Sequence, residues 1–325
     1  MNPKPLRILI GLFVVLGAWV LLVEKPFTDD LRGPSTRKGR VFAGFNPGDV
    51  NTIDITAAGK LTRLEKNDTT WTVHDGGYRA DQKAVTDLLA RIDTMTVGSV
   101  ASVNPARQAT FGVDTTGVHV VIRGAPKGAA NLWVGNSTPD FSGLFLRVDG
   151  KDEVYSVPSV TRFQFDRGAQ TWRDKRIVPF AAEEISALAM SWADTTVTLA
   201  RQGTDSLKTA TWTVSGNLPG QASSPANAEQ ARAIATGLGN LMADAFPAAT
   251  DTIPTVWEPL VYRFDLTARN GERAVLEVGP KLPRGQHVVR RAGSTDVMLV
   301  GPWRFTRFKK GWGELTAGTT GPKTR

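Results

Sequence analysis

Short stretches that alternate apolar and polar residues fill most of the chain after residue 44. The stretch "NTIDIT", residues 51–56, alternates in the way expected of a half-buried strand. Further short strands are predicted from "KLTRLEK", "TWTVH", "FGVD", "GVHVVIRG", "NLWVGN", "GLFLRVDG" and "EVYSVPS". Gly-rich turns separate several of these stretches, as in antiparallel sheets. The pattern therefore predicts a sheet built from short strands.

One segment, residues 81–93, has a different period. Its apolar residues are spaced i, i+3, i+4 and i+7, which places them on one face of a helix: Val85, Leu88, Leu89 and Ile92. Asp81 comes just before them, where a helix N-cap is expected. The spacing predicts one main helix packed on the sheet.

The same series of segments occurs a second time from residue 185 onwards. "TATWTVSG" repeats "DTTWTVHD", with Trp212 in the place of Trp71, and "NAEQARAIATGLGNL" repeats the helix. Nine elements keep their order at offsets of about 135–145 residues, which indicates an internal duplication. Trp71 and Trp212 are predicted to be core residues, whereas Trp133 has a glutamate as its equivalent and is expected outside the core.

We therefore predict an α+β fold with an N-terminal transmembrane helix followed by two tandem repeats. Each repeat is an antiparallel twisted sheet with one main packed helix. The predicted boundaries are a membrane anchor at 1–26, a tether at 27–44, a first repeat at 45–170, an inter-repeat joint at 171–180, a second repeat at 181–310 and a flexible tail at 311–325.

The joint, "TWRDKRIVPF", carries an indole, a carboxylate and three cations in five consecutive positions: Trp172, Arg173, Asp174, Lys175 and Arg176. Because it falls where one repeat ends and the next begins, we interpret these residues as structural. Trp172 is expected to cap an edge, and Asp174 to pair with one of its three cationic neighbours. A site that exists in one repeat alone is the alternative.

The run "ILIGLFVVLGAWVLLV", residues 8–23, contains no polar side chain. Its sixteen residues span ~24 Å as a helix, slightly less than a bilayer's hydrocarbon core, and flanking Arg7 and Lys25 can extend that reach. A cleaved signal peptide is the alternative, but "LLVEKPF" is a poor cleavage site. We expect a single-pass anchor in the inner (plasma) membrane, with the bulk of the chain outside the cytoplasm.

The net charge of +8, from 39 Lys and Arg against 31 Asp and Glu, favours anionic surroundings without identifying them. The absence of cysteine excludes disulfides, thiolate catalysis and cysteine-bound zinc. The histidines His74, His119 and His287 are not spaced as metal ligands. The sequence contains no nucleophile elbow, Walker A or dinucleotide motif, so we expect no cofactor and no enzymatic activity.

A basic and aromatic stretch, "WRFTRFKKGW" at 303–312, is the second candidate for a functional surface. Its cations are candidate contacts for a partner or a lipid headgroup: Arg304, Arg307, Lys309 and Lys310. Phe305 and Phe308 lie three positions apart, so a terminal helix packed on the sheet is the alternative interpretation. Because an anchored chain meets lipid first, nucleic acid is not an expected partner.

These motifs together resemble a bacterial family called domain of unknown function 4340. The resemblance rests on the anchor, the "WTV" strand with its following helix, "FGVD", "LWVGN", "VYSV" and "WRDKRIVPF", and it covers about residues 8–310. The chain departs from the family's usual pattern at "LPGQASSPANAEQ" and in its Gly- and Thr-rich tail. Members are membrane-anchored and associated with ABC-transporter components of the gliding-motility auxiliary type, and the family supplies no catalytic residues.

The resemblance implies a non-enzymatic, membrane-anchored accessory or scaffold protein of an envelope system. Its expected partners are inner-membrane lipid, through residues 8–23, and permease or accessory subunits of an ABC-type transporter. Two alternatives stay open. One is an extracytoplasmic binding module for an acidic polymer, glycan or lipid headgroup, and the other is an enzyme with an unrecognised site.

Overall fold

A computed structural model describes residues 39–74, 77–203 and 206–317. The predicted anchor at 8–23 and most of the predicted tether lie outside these ranges. Within them, no helix is long and apolar enough to cross a membrane. The chain divides into two compact units, the first ending at Asp174 and the second beginning at Lys175.

The first unit is built on a single nine-stranded antiparallel sheet. Its strands are β1 (Val50–Ala57), β2 (Lys60–Asn67), β3 (Thr70–Val73), β4 (Tyr78–Arg79), β5 (Ser99–Ser102), β6 (Val118–Gly124), β7 (Ala130–Ser137), β8 (Gly143–Val148) and β9 (Val154–Pro158). Their order across the sheet is β4-β3-β2-β1-β6-β7-β8-β9-β5. The edge strand β5 pairs with β9, far away in the sequence.

The main helix of the first unit is α1 (Gln82–Thr94), and its N-cap is Asp81, whose carboxylate accepts a hydrogen bond from Ala84 N at 3.1 Å. All four apolar residues of the predicted stripe are buried. Single helical turns are α2 (Gln108–Phe111) and α3 (Ala169–Trp172). The predicted strand "FGVD" is wrong, because Phe111 ends α2 and Gly112 terminates it in the left-handed conformation (φ 65°).

The second unit is built on an eight-stranded antiparallel sheet. Its strands are β10 (Ile185–Trp192), β11 (Thr195–Gln202), β12 (Thr211–Gly216), β13 (Ser224–Pro225), β14 (Tyr262–Ala268), β15 (Arg273–Lys281), β16 (His287–Arg291) and β17 (Met298–Val300). Their order is β13-β12-β11-β10-β14-β15-β16-β17. The order matches that of the first unit, strand for strand, from β4 through β9, and the predicted pair of repeat-like antiparallel sheets is confirmed.

The helix α4 (Ala228–Gly239) occupies in the second unit the place that α1 has in the first. The side chain of Asn227 caps it by accepting hydrogen bonds from the N–H groups of its first turn. The single turns α5 (Trp303–Thr306) and α6 (Trp312–Leu315) follow the last strand. Each unit has its own apolar core, and Trp71 and Trp212 are buried in the two cores as predicted.

Both units are closed by the same main-chain pairings. Arg40 bridges to Thr96 in the first unit, as Arg176 bridges to Met242 in the second. Ala80 bridges to Arg173, as Ala226 bridges to Thr316. The first unit therefore includes residues 39–44 of the predicted tether. The second unit continues to 317, past its predicted end at 310, because Leu315 is buried and Thr316 is paired.

Candidate functional site

The first half of the predicted joint belongs to the first unit. The indole of Trp172 is buried, with the Arg167 guanidinium 5.2 Å from its ring centroid. Arg173 is also buried, and its guanidinium lies 3.5 Å from the centre of the Tyr78 ring. The main chain of Trp172 accepts a hydrogen bond from Asp81 N at 2.7 Å. These contacts seal the sheet edge at β4 and the start of α1.

Asp174 has a partner that the sequence did not suggest. Its carboxylate lies 3.4 Å from Nε of Arg79, and its own N–H donates to Arg79 O at 2.8 Å. The sequence offered only the neighbouring cations as partners. Arg79 is on β4, nearly a hundred residues earlier, and only the closure of the sheet edge brings it to Asp174.

The second half of the joint begins the second unit. Lys175 O accepts a hydrogen bond from Ala243 N at 2.8 Å, and Ile177 N donates to Leu241 O at 3.1 Å. Arg176 is exposed and lies on the isolated bridge to Met242. The charged joint is thus the last pairing of one unit followed directly by the first pairing of the next.

The cations of 303–310 also take part in packing. Arg304 donates from Nε to Oδ1 of Asp244 at 3.0 Å, and the same carboxylate accepts from Gly301 N at 2.8 Å. Burial raises the pKa of Asp244, but the hydrogen bonds from Arg304 and Gly301 outweigh it, so its pKa lies below the ordinary value. Asp244 therefore joins Arg304 to the turn at Gly301.

The remaining members of this stretch differ in exposure. Phe305 and Phe308 are buried in the core of the second unit, as the packing interpretation predicted. Arg307 donates to Gly237 O at 3.3 Å, near the end of α4, and Lys310 lies 3.1 Å from Glu314. Lys309 is exposed. Of the four candidate contact residues, Arg307 and Lys309 are the more accessible to a ligand.

A cluster missed by the sequence reasoning lies on the face of the first sheet opposite the helix. Asp54 on β1 is 8% exposed and accepts from Arg63 Nε at 2.6 Å and from Arg123 Nη1 at 2.7 Å. Burial raises the pKa of Asp54, and the two arginines lower it further than burial raises it. Two arginines thus contact one carboxylate, and Glu65 is a second carboxylate near Arg63.

Beside this cluster, three cross-strand neighbours form a stack. The rings of His119 and Trp133 are parallel, with centroids 4.1 Å apart, and the Arg147 guanidinium lies 5.6 Å from the Trp133 ring. Trp133 Nε1 donates to Asp149 at 3.0 Å. Trp133 lies outside the core, as expected. It is half-buried because neighbours on the two adjacent strands cover its ring faces.

The equivalent row of the second unit has different chemistry. Glu277 stands in the place of Trp133 and accepts from Arg290 Nε at 2.8 Å and from Arg263 Nη1 at 3.4 Å. The Arg290 guanidinium also lies 4.4 Å from the Trp257 ring. The two units therefore share a framework and present different side chains on the same row, a stack in one and an ion cluster in the other.

His287, at the start of β16, is buried against Tyr262 and Phe305. Its Nδ1 lies 2.8 Å from Gly279 O. Burial lowers the pKa of His287, although the contact with the Gly279 carbonyl acts in the opposite direction. Among the described residues, no group of histidines and carboxylates is placed to hold a metal ion.

The lowered pKa of His287 predicts that the stability of the second unit depends on pH. Between the lower pKa of the folded state and the unfolded value of ~6.5, the unfolded chain binds more protons, so stability falls as pH drops below ~6.5. We expect the midpoint temperature of unfolding of the second unit to decrease when the pH is lowered from 7.5 to 5.5. His287→Gln should remove most of that decrease. His74→Gln, at an exposed position, should keep it. Equal pH dependence in both variants would contradict the assignment.

The fold and these surfaces define a duplicated antiparallel α+β protein. The charged side chains described above form ion pairs within its two units. The family described as "Domain of unknown function (DUF4340)" matches residues 71–256, and the chain belongs to that family. The match runs from the WTV strand of the first unit through the main helix of the second. No curated protein and no solved structure matches the chain.

Proposed function

We propose that this chain is a non-enzymatic, membrane-anchored accessory or scaffold protein of a bacterial envelope system that works with an ABC-type transporter. The observation that carries the proposal is the duplication. Two units repeat the same closures and strand order, while the matching outer rows differ, with Trp133 in one and Glu277 in the other. Two unlike surfaces on a repeated framework suit a protein that holds two different partners.

The chemistry of the conspicuous residues supports the same proposal. Asp54, Asp174, Asp244 and Glu277 all lie against arginines, as expected of carboxylates with a packing role. A general acid or base needs a pKa near the working pH, and the pKa values of Asp54 and Asp244 are shifted the other way. The apolar run at 8–23 supports the anchor, and the family resemblance supports the transporter association.

Co-purification tests the scaffold proposal. The full chain is tagged after Arg325 and expressed in the bacterium that naturally makes it. It is then crosslinked and purified in mild detergent. Transporter subunits are expected at near-stoichiometric levels. The control carries residues 1–38 alone, fused to an unrelated soluble domain, and separates capture by the anchor from capture by the two units. Equal recovery with both chains, or no transporter subunit at all, would exclude the scaffold role.

A topology test decides where partners are sought. Alkaline phosphatase and, separately, a fluorescent protein that matures only in the cytoplasm are fused after Arg325. Phosphatase activity with a dark fluorescent fusion is the expected result, because the bulk of the chain is proposed to lie outside the cytoplasm. The reverse result would move the search to the cytoplasmic ATPase and inner-leaflet lipid.

Binding of an acidic polymer, glycan or lipid headgroup is the second candidate function. The observation that favours it is the number of arginines on these sheet faces, where two arginines contact each of Asp54 and Glu277. Lys309, in the basic stretch of the second unit, is also exposed. Exposed positive charge attracts anionic ligands in a salt-dependent way.

Charge reversal tests this second candidate. Lys309→Glu is expected to weaken binding to anionic glycans on an array and to acidic vesicles in flotation, and high salt should weaken both. Lys151→Glu makes the same change of net charge at an exposed turn of the first unit. A specific surface predicts a loss for Lys309→Glu alone. Equal losses would indicate attraction by net charge, and no binding at low salt would end this candidate.

A further inference from the structure

The most exposed large apolar side chain that the structure describes is at the tip of the β7–β8 hairpin of the first unit. Phe141 is 85% exposed, and its φ is 56°, in the left-handed region that bulky residues rarely adopt. Asparagine or glycine would adopt this conformation at lower cost. A phenylalanine here is neither packed nor favoured by the backbone, so folding does not explain it.

The turn that carries Phe141 is held firmly. Thr138 Oγ1 donates to Asp140 at 2.6 Å, Phe141 N donates to Thr138 O at 2.9 Å, and Ser142 N donates to Asp140 at 3.2 Å. The hydrogen bonds from Thr138 and Ser142 lower the pKa of Asp140 to about 2. The carboxylate therefore stays ionised, and its hydrogen bonds hold the main chain that carries Phe141.

A second exposed phenylalanine lies at the same end of the sheet. β9 ends at Pro158, opposite the first residue of β8, and Ser159 N donates to Ser142 O at 2.8 Å beside the hairpin tip. Phe163 follows four residues later and is 70% exposed. The Arg167 guanidinium lies 5.4 Å from its ring centroid. One end of the first unit thus carries two exposed aromatic rings.

The described chain also begins at this end. Gly39 O accepts a hydrogen bond from Val97 N at 2.9 Å. Gly98, which follows Val97, lines a cavity of about 330 Å³ together with Asp140 and Pro158. Fifteen residues separate Val23, the end of the apolar run, from Gly39, and fully extended they reach at most ~50 Å. Gly39, the described residue nearest to the proposed anchor in the sequence, therefore lies at the same end of the sheet as the β7–β8 hairpin.

We propose that this end of the first unit rests on the bilayer that holds the anchor, with Phe141 and Phe163 inserted at the level of the lipid headgroups. The inference rests on the proposed function, because it requires residues 8–23 to be membrane-embedded. Aromatic side chains favour this interface, and apolar groups at it are buried ~5–10 Å below the headgroup surface. The contact would orient the first unit on the membrane.

Apolar burial drives this contact. The charges near the rings are mixed, since Arg162 lies 3.6 Å from Asp166, Arg167 lies over the Phe163 ring, and Asp140 is in the hairpin turn. These four residues carry two positive and two negative charges. The contact is therefore expected on zwitterionic bilayers as well as on acidic ones. This distinguishes it from headgroup binding through Lys309, which needs acidic lipid.

The absence of cysteine from the sequence allows a direct test on the full chain. Single cysteines at Phe141, Phe163, Val15 and Lys151 are labelled with an environment-sensitive fluorophore, and each protein is reconstituted into phosphatidylcholine vesicles with or without lipids that carry a nitroxide near the headgroup. Lys151 is the matched control, because it is exposed in the turn after β8, at the opposite end of the same sheet.

Quenching and a blue shift are expected at 141 and 163, and neither at 151. A probe at 15 that is shielded in the bilayer, with unquenched probes at 141 and 163, would overturn the contact and leave the anchor standing. An unshielded probe at 15 would overturn the anchor, and the contact with it. Equal quenching at 141, 163 and 151 would show that the whole unit lies close to the surface without this orientation, which also overturns the proposal.

Phe141→Asn separates this role from folding. Asparagine tolerates the left-handed conformation, so the variant should keep or raise the unfolding midpoint. With the fluorophore on a cysteine at 163, the same variant should lose much of its quenching, because Phe141 is then the only one of the two rings left and asparagine removes it. A lowered midpoint would assign Phe141 to folding, and unchanged quenching at 163 would assign the contact elsewhere.

Discussion

Replacing Trp172 by alanine is expected to lower the free energy of unfolding of the first unit by about 3–5 kcal/mol. The side chain is fully buried, and its removal leaves a cavity under Arg167 at the point where the closing segment meets α1. The loss includes the transfer of the indole from the core and the packing that the cavity forfeits. Hydrogen exchange should show protection lost first in peptides of β3, β4 and α1.

Trp303→Ala is the matched control for this prediction. It removes the same side chain from the second unit, at a position that is 62% exposed, so the change in stability should stay within about 0.5 kcal/mol. If Trp172→Ala were as mild as Trp303→Ala, the joint would not be structural. A site that exists in one repeat alone would then become the better interpretation of "TWRDK".

Replacing Gly124 by alanine is expected to destabilise the first unit by about 3 kcal/mol, at the upper end for overpacking. Gly124 ends β6 opposite Val50, and an added Cβ would lie 1.9 Å from Asp49 O and 2.8 Å from Val50 Cα. Both atoms belong to the main chain, so relief requires β1 and β6 to separate. Thermal or denaturant unfolding of the full chain measures the effect.

Gly313→Ala makes the same chemical change with the opposite expected sign. Gly313 lies within α6, and an added Cβ meets nothing within 4 Å. Alanine is favoured over glycine in a helix by roughly 0.5–1 kcal/mol, so the variant should be slightly more stable. If both substitutions destabilised equally, the close approach to Asp49 would not explain the effect at Gly124.

Local patterns were sufficient for the parts of the fold that depend on near neighbours. The stripe from Val85 to Ile92 identified α1, because a helix brings residues three and four apart onto one face. The repeat of Trp71 at Trp212 identified the duplication, and both tryptophans are core residues. The family resemblance followed from the same motifs and is confirmed by the match over 71–256.

Other elements left little local signal. β5 is the stretch Ser99–Ser102, with the sequence SVAS, whose four residues are all half-buried, so it lacks the alternation that marks a strand. It forms because β9, more than fifty residues later, offers an edge to pair with. The helical turn at Phe111 was mistaken for a strand for a similar reason, since four residues carry too little periodicity to separate the two.

The charged residues show best which features follow from the sequence and which depend on the tertiary structure. The sequence by itself determined that "TWRDK" lies at a boundary between repeats, because the duplication is written in the order of the segments. Only the tertiary structure decided that Asp174 meets Arg79 and that Asp54 lies between Arg63 and Arg123. These partners are 9 to 95 residues apart, and which cation meets which carboxylate depends on strand register, a property of the assembled sheet that no local pattern records.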